Sequence, residues 1–412
     1  MNPRTPEPAN PRTHEPANFR SHVSRGSKAF WKINLAVFSA GFSVFLLMYA
    51  VQPLLPIFTR EFHIDAATSS LALSVTTGCL AFAMLVIGAV AEGWSRKPLM
   101  SASLLAAALL TLASSVVTAW PAFLFIRAIE GIAIAGLPAL AMAYLGEEIH
   151  PDDVGVSMGL YVGSGALGGM TGRLLTGLMT DLFSWRPTLA AIGLLGVVAS
   201  AIFSVSLPAS AQFRPRSLSM RTLLGSYKSH LNDPVILALV MEAGLVLGTL
   251  VTVYNYSSFR LLAPPYLLSQ TAVGSVFGLY VLGFFSSSLM GILSHRFSRP
   301  FLLRIGLTTM ALGVAATLMR PLAIVIAGIG LVTIGFFASH SVASSWVGLR
   351  AREGKAQASA LYLFFYYMGA SIAGTIGGFF WTAYAWNGVA AFLITLLATA
   401  LLIAQRSLRR DA

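Results

Sequence analysis

The sequence predicts an all-α membrane protein of twelve transmembrane helices, arranged as two pseudo-symmetric six-helix bundles. Three observations favour this fold class: an apolar composition, apolar stretches that recur at bilayer-crossing length, and a resemblance between the two halves of the chain. Hydrophobic residues make up 56% of the 412 residues and charged residues only 10%, whereas soluble domains average about 25% charged residues. So few charges cannot cover a water-facing surface, which argues against a soluble enzyme.

The apolar stretches give the order of the elements. Residues 1–32 are rich in Pro, Arg, Asn and Ser without a signal-peptide core, and we expect a disordered basic tail there. The first bundle, residues 33–207, is expected to contain six spans: 33–58, 69–91, 99–118, 121–144, 154–180 and 186–207. After a linker at 208–232, the second bundle, residues 233–404, is expected to contain six more spans: 233–256, 271–294, 301–319, 321–347, 357–381 and 388–404. A tail at 405–412 follows it. Each span has about 20 residues and must satisfy its backbone internally in lipid, so each is predicted to be a helix.

The positive charges predict the orientation of the chain, which carries a net charge of +12. Of the 27 Lys and Arg residues, 21 fall in tails and loops on the side of both termini, and four lie on the opposite side. Because cytoplasmic loops are enriched in Lys and Arg, both termini are expected in the cytoplasm of a bacterial-type inner membrane. The bases lie in short segments rather than on one face, so no nucleic-acid partner is expected.

A motif at the end of the second span recurs at the end of the eighth, about 200 residues later. This repetition supports a duplicated architecture of the transporter type. Each copy combines a glycine, a polar residue and a basic end. The members are Gly88, Glu92, Arg96 and Lys97 in the first copy and Gly291, His295 and Arg299 in the second.

Over residues 33–404 these features resemble the major facilitator superfamily. That family's loop motif reads approximately Gly-x-Leu-Ala-Asp-Arg-x-Gly-Arg-Arg, and Gly88, Arg96 and Lys97 match it, with Glu92 in place of Asp. The resemblance implies the major facilitator fold, a gating role for both copies of the motif, and secondary transport.

Two further patterns narrow the resemblance. The family's Arg-x-x-Gln-Gly pattern in the fourth span appears as Arg127-Ala-Ile-Glu130-Gly131, and the run from Gly168 to Arg173 together with Glu242 is similar to the acriflavine-sensitivity branch. That similarity implies proton-driven export. The Gly-Pro-x-x-Gly-Gly pattern of antiporters lacks its Pro in the fifth span, which keeps other coupling modes open.

Arg127, Glu130 and Glu242 are the candidate proton-linked groups. Arg127 and Glu130 lie three residues apart on one helix face, so they form either a proton or substrate relay or a self-neutralising pair that holds packing. Glu242 lies nine residues beyond Asp233, about 14 Å into its span, without a basic residue in that span. Such a carboxyl tends to be protonated and can load and release a proton. The alternatives are a neutral, hydrogen-bonded Glu and a salt bridge to Arg127 or Arg173.

Other polar residues are candidates for a substrate cavity. Arg173, late in the fifth span, either extends to the outer interface or faces a cavity and attracts anionic groups. Tyr49, Gln52, His340 and Tyr366 either line the cavity or pack among helices or lipid.

Small residues in the fifth and eleventh spans predict close helix contacts that let the bundles rock. They are Gly163, Gly168, Gly169, Gly172, Gly374 and Gly378. The letters Gly-x-Gly-x-x-Gly also occur there, but within an apolar helix they do not indicate a nucleotide site. The sequence contains no ATP-binding phosphate loop and no spaced metal ligands, so no cofactor and no metal are expected.

These patterns predict a secondary active transporter rather than an enzyme, most simply a monomer that exports a small organic solute by proton antiport with alternating access. The expected partners are the substrate, protons and the lipid bilayer. One alternative is a facilitator or proton symporter for a sugar or metabolite. Another is a transporter-like membrane sensor without turnover.

Overall fold

The computed structural model describes residues 22–91, 94–211, 220–351 and 353–408. Within these ranges the chain is almost entirely helical, and its β-structure is limited to one isolated bridge between Val23 and Ile149. The predicted all-α fold class is confirmed.

The first bundle contains seven α-helices, two of which form one bent span. α1 (Lys28–Tyr49) passes through a 3-10 turn (Gln52–Leu54) into α2 (Leu55–Glu61), and Pro53 explains the break because it has no N–H for the helix ladder. The helices that follow are α3 (Ala66–Ala91), α4 (Arg96–Ser114), α5 (Trp120–Glu148), α6 (Pro151–Leu182) and α7 (Trp185–Ser206).

A helix in the predicted linker, α8 (Met220–Asn232), precedes the second bundle. That bundle again begins with a long helix and contains one interrupted span, in which a 3-10 turn separates α10 from α11. Its helices are α9 (Pro234–Leu262), α10 (Gln270–Val276), α11 (Tyr280–Leu293), α12 (Arg299–Ala316), α13 (Leu322–Arg350) and α14 (Lys355–Leu408). α14 bends at Tyr384 and Ala385, where the backbone leaves helical geometry, and so supplies two spans.

Among the described residues, nine helical segments are long and apolar enough to cross a membrane, and one of them, Lys355–Arg406, is the bent α14. α6 and α12 fall outside that set but have the length of spans, and with them and the bend the twelve predicted spans are accounted for. The helix of the first span begins at Lys28, earlier than the predicted 33, because Ser27 caps it by accepting a hydrogen bond from the N–H of Phe30. Residues 1–21 of the predicted tail lie outside the described residues.

Glycines allow the helices to approach closely, as predicted for the fifth span. A Cβ atom on Gly172 would lie 2.6 Å from the carbonyl oxygen of Leu46, and one on Gly168 would collide with the backbone of Phe42. α6 therefore packs backbone to backbone on α1. Between the bundles, Gly378 of α14 makes the same kind of contact with Ala67 of α3.

Candidate functional site

The contacts of α6 show which side of the interface between the bundles is closed. Near the end of α6, a Cβ atom on Gly177 would lie 2.6 Å from the carbonyl oxygen of Gln270 and 2.9 Å from the Cα of Gly274, so the bundles touch there. Near the start of α6, a Cβ atom on either Gly159 or Gly163 would have no atom of another described helix within 4 Å. We call the side on which α6 ends the closed side, and the side on which α6 begins the open side.

Hydrogen bonds across the interface hold the closed side. The carboxylate of Asp181, at the end of α6, accepts from the N–H of Gln270 at 3.1 Å and from the N–H and hydroxyl of Thr271 at 2.7 and 2.6 Å. Deeper in the protein, Gln52 donates to the side-chain oxygen of Asn255 at 2.7 Å. Both contacts join the first bundle to the second, so opening this side requires breaking them.

Glu242 lies in a narrow crevice of the second bundle, between α9, α13 and α14. It is 1% exposed, and its Oε1 atom has no hydrogen-bond partner. Ser339, His340, Tyr362 and Tyr366 share the crevice, and the Ser339 hydroxyl is also without a partner. Neither Arg127 nor Arg173 forms an ion pair with Glu242, so the salt bridge considered from the sequence is absent among the described residues.

An aromatic and imidazole cluster extends from this crevice. Nδ1 of His340 lies 2.9 Å from the hydroxyl of Tyr362, and the His340 ring stacks on Phe336 and lies 4.8 Å from the Tyr366 ring. The sequence analysis selected His340 and Tyr366 and missed Tyr362. Tyr362 precedes Tyr366 by one helical turn, so the four-residue spacing was the available signal.

Arg127 and Glu130 form a closed network inside the first bundle. Both are 0% exposed, and Nη1 of Arg127 donates to Glu130 Oε2 at 2.6 Å. Thr111 donates to the other carboxylate oxygen at 3.0 Å, and Arg127 donates to the carbonyl oxygens of Ala72 and Met48, each at 3.0 Å. The pair thus ties α5 to α1, α3 and α4, an arrangement that supports the packing interpretation over a relay.

Arg173 is 1% exposed and lies against both bundles, so the interpretation in which it extends to the outer interface is wrong. Its Nε donates to the side-chain oxygen of Gln52 at 2.6 Å, and its guanidinium carbon lies 3.8 Å from the centre of the Tyr49 ring and 4.8 Å from that of Tyr280. The tertiary packing decides this inward direction, because Tyr280 comes from a span more than 100 residues away. Tyr49 and Gln52 therefore meet Arg173 at the interface between the bundles.

The two copies of the loop motif have different surroundings. In the first copy, Arg96 pairs with Glu147 at 2.8 Å and Lys97 donates to the carbonyl oxygen of Leu207 at 2.5 Å. Glu92 lies outside the described residues, and Gly88 lies near the end of α3. In the second copy, the side chains of His295 and Arg299 make no hydrogen bond or ion pair with another residue that the structure describes, and a Cβ on Gly291 would have nothing within 4 Å. The gating role of the second copy therefore rests on the sequence alone.

The remaining packing glycines divide by place. A Cβ on Gly374 would lie 3.3 Å from Asn255 Nδ2, near the interface, and one on Gly169 would lie 3.2 Å from Nη1 of Arg173. A Cβ on Gly163, on the open side, would have nothing within 4 Å, contrary to the prediction of close helix contact at that residue. Within the described ranges, no three His, Cys, Asp or Glu side chains are grouped so as to hold a metal ion.

Comparisons with known proteins bear on the whole chain. The sequence profile of the Major Facilitator Superfamily matches residues 37–266. The chain is 45% identical over 379 residues to "Uncharacterized MFS-type transporter YybF" of Bacillus subtilis (strain 168), which covers 92% of this chain and 94% of that protein. It is 44% identical over 388 residues to "Inner membrane transport protein YnfM" of Escherichia coli (strain K12), with 94% and 93% covered.

Solved structures share the fold at low sequence identity. A bacterial homologue of the human lysosomal transporter Spinster, in an inward-facing and occupied conformation, superposes with a TM-score of 0.77 at 14% identity, covering 93% of this chain and 98% of that one. The nucleoside transporter NupG superposes with a TM-score of 0.75 at 15% identity, covering 92% and 99%. These likenesses establish the arrangement of helices.

Proposed function

Since the chain belongs to the major facilitator superfamily and is an integral membrane transporter rather than an enzyme, we propose that it exports a small organic solute in exchange for protons. We also propose that the chain belongs to the acriflavine-sensitivity branch of the family and acts as a monomer. We place it in the inner membrane with both termini in the cytoplasm. The excess of Lys and Arg on the side of the termini and the inner-membrane name of the Escherichia coli relative support the location.

The observation that carries proton coupling is the environment of Glu242. An ionised carboxylate without a partner costs several kcal/mol when it is removed from water, so Glu242 is neutral while its crevice is closed. Exposure to water on one side of the membrane lets it release the proton, and exposure on the other lets it bind another. Alternation of the two exposures couples the movement of protons to that of the substrate.

Alternating access is supported by the asymmetry of the interface. The contacts of Asp181, Gln52 and Gly177 hold the closed side, whereas the face of α6 around Gly159 is exposed on the open side. The proposed orientation makes the open side cytoplasmic. A solute then enters the interface from the cytoplasm and leaves when the contacts on the closed side break.

The roles of the site residues follow from their partners. We assign proton binding to Glu242 and positioning to His340 and Tyr362, which lie beside it. Arg127 and Glu130 have their polar atoms engaged within one bundle, and we assign them to the scaffold.

Reconstitution in proteoliposomes tests proton coupling. An imposed pH gradient should drive flux of at least one of a set of radiolabelled aromatic solutes that includes anionic, neutral and cationic members, with a pH-sensitive fluorophore inside the vesicles reporting counter-movement of protons. Glu242→Gln should abolish gradient-driven flux with unchanged insertion, Glu242→Asp should retain part of it, and Glu353→Gln, in a loop on the open side, is the matched control. Full gradient-driven flux in Glu242→Gln would remove the residue from the mechanism.

The same vesicles separate export by antiport from the symport or facilitator alternative, which the unbroken fifth span without its Pro favours. Antiport moves protons opposite to the transported solute, symport moves them in the same direction, and a facilitator leaves the internal pH unchanged.

A further inference from the structure

Arg173 is a buried cation at the interface between the bundles, and it has no acidic partner there. Arg173 is 1% exposed, and none of the described carboxylates forms an ion pair with it. Charged side chains inside membrane spans face the bundle interior or a water-filled cavity, and they pair with opposite charges or with backbone carbonyls. Among the described residues the other fully buried arginine, Arg127, pairs with Glu130, whereas Arg173 has the backbone carbonyl of Gly169 and no acidic partner.

The hydrogen bonds of Arg173 leave one edge of the guanidinium group nearly unoccupied. Nε donates to Gln52 at 2.6 Å and Nη1 to the carbonyl oxygen of Gly169 at 2.9 Å. For Nη2, the hydrogen bond found within the described residues is to the hydroxyl of Tyr280 at 3.5 Å, which is at the limit of a hydrogen bond, and the hydroxyl of Tyr49 also lies near the group. Since a guanidinium group has five N–H donors, Arg173 retains donors for an acceptor that the protein does not supply.

Aromatic rings surround the same group. The guanidinium carbon lies 3.8, 4.8 and 5.1 Å from the ring centres of Tyr49, Tyr280 and Phe277. Tyr49 belongs to the first bundle, whereas Tyr280 and Phe277 belong to the second, so the rings separate when the bundles move apart. Aromatic faces bind planar groups, and a guanidinium group stacks well on them.

Arg260 shows how this chain satisfies an arginine that has a purely structural position. It also lies over rings, those of Tyr266 and Trp386. Its Nη1 and Nη2, however, donate to the carbonyl oxygens of Thr317 and Met319. The two Nη atoms of Arg260 therefore donate to backbone carbonyl oxygens, whereas Nη2 of Arg173 has the Tyr280 hydroxyl at 3.5 Å.

We propose that Arg173 binds the anionic group of the transported solute and that the substrates are small organic anions with a planar apolar part. The Nη2 edge donates to a carboxylate or similar oxygen, and the hydroxyl of Tyr280 donates a second hydrogen bond. The rings of Tyr49, Tyr280 and Phe277 contact the planar part. This inference rests on the proposed transport function and adds the class of substrate to it.

The experiment compares three probes that share one ring: benzoate, benzyl alcohol and benzylamine. Binding to the full-length protein in lipid nanodiscs is measured by thermal shift and isothermal titration calorimetry, without any pH gradient. Benzoate should bind about tenfold or more tightly than the neutral and cationic probes, as a charged hydrogen bond to a buried group predicts. Arg173→Gln should lower benzoate affinity to that of benzyl alcohol, and Arg260→Gln, the matched control, should leave the preference for benzoate intact.

The outcomes separate this inference from proton coupling. Glu242→Gln should keep the preference for benzoate even where it abolishes pH-driven flux, so a failure of coupling leaves the binding result intact. Equal affinity for the three probes, no binding of benzoate at millimolar concentration, or a preference for benzoate that survives in Arg173→Gln would each overturn the assignment. If Arg173→Gln does not fold, Arg173→Lys serves in its place, and it should weaken benzoate binding because a point charge replaces the planar fork.

Discussion

Glu130 and Glu242 are two buried glutamates in membrane-spanning helices of opposite bundles, and their surroundings differ completely. Glu130 accepts hydrogen bonds from Arg127 at 2.6 Å and Thr111 at 3.0 Å, all within the first bundle. Glu242 has an oxygen without any partner, in a crevice of the second bundle.

The difference teaches that burial of a charge in a membrane span does not by itself indicate function. A carboxylate whose hydrogen-bond donors and counter-charge all belong to its own bundle keeps the same partners in the proposed rocking of the bundles. It therefore serves the scaffold. A carboxyl group without partners changes its protonation state without disturbing any contact, so it is available to a transport cycle. Sequence alone ranked the two together because both are acidic residues in apolar runs.

The largest expected effect separates the two sites by stability. Glu130→Ala leaves Arg127 as a buried unpaired charge and should destabilise the protein by about 3–5 kcal/mol, whereas Glu242→Gln should cost less than about 1.5 kcal/mol. Thermal unfolding of purified protein and the fraction that elutes as a single peak measure both changes. Equal losses of stability would contradict the comparison.

Rocking of the bundles, on which the comparison depends, is tested at Gly177. Gly177→Val inserts a side chain between α6 and α10 and should weaken the closed side by about 1–3 kcal/mol, so that it opens about 5- to 150-fold more often. Labelling of Thr176→Cys by a membrane-impermeant maleimide, in a Cys79→Ser background, reports the opening. Gly159→Val on the open side is the matched control and should leave the labelling rate unchanged. An unchanged rate in Gly177→Val would show that this contact does not hold the closed side.

A smaller effect probes single hydrogen bonds at each site. Thr111→Val removes one of the donors to Glu130 and should cost about 1 kcal/mol of stability. Tyr362→Phe removes the hydroxyl that lies against His340 and should shift the pH dependence of flux with little change in thermal stability. Stability curves and pH–flux profiles of the two variants distinguish scaffold from cycle, and a shifted flux profile in Thr111→Val alone would reverse the assignment.

The smallest effect concerns a carboxylate outside the spans. Burial alone would raise the pKa of Asp233, but hydrogen bonds from Arg350 at 2.9 Å and from the N–H groups of Ile236 and Val235 hold its pKa below the ordinary value. A lowered pKa stabilises the protein above the unfolded value of about 3.9, and this contribution is lost as pH falls through the folded pKa.

Asp233→Asn should therefore reduce stability slightly at pH 7, by less than about 1 kcal/mol for a partly exposed pair. The difference from wild type in thermal unfolding should shrink as pH falls through the folded pKa of Asp233, because the carboxyl group is then neutral in the folded and unfolded states. A difference that persists undiminished in acid would show that the charge of Asp233 is not its source.

The sequence predicted most of the fold and part of the site, for physical reasons. Long apolar runs must form helices in lipid, so the spans followed from hydropathy and length. The direction of the Arg173 side chain did not follow from the sequence, because the groups that hold it come from other parts of the chain. They are the rings of Tyr49 and Tyr280 and the side-chain amide of Gln52. α8 was missed for another reason: its apolar residues are spaced on one face, and a search for continuous apolar runs passes over such a pattern.

Helix α8 has a consequence for the mechanics of the molecule. The hydroxyl of Tyr227 donates to the carbonyl oxygen of Leu85 in the first bundle, and Nε2 of His230 lies 3.1 Å from the carbonyl oxygen of Gly354 in the second. Helix α8 thus contacts both bundles as well as connecting them along the chain. Movement of the bundles against each other in the proposed transport cycle must therefore either carry α8 along or break one of these two contacts.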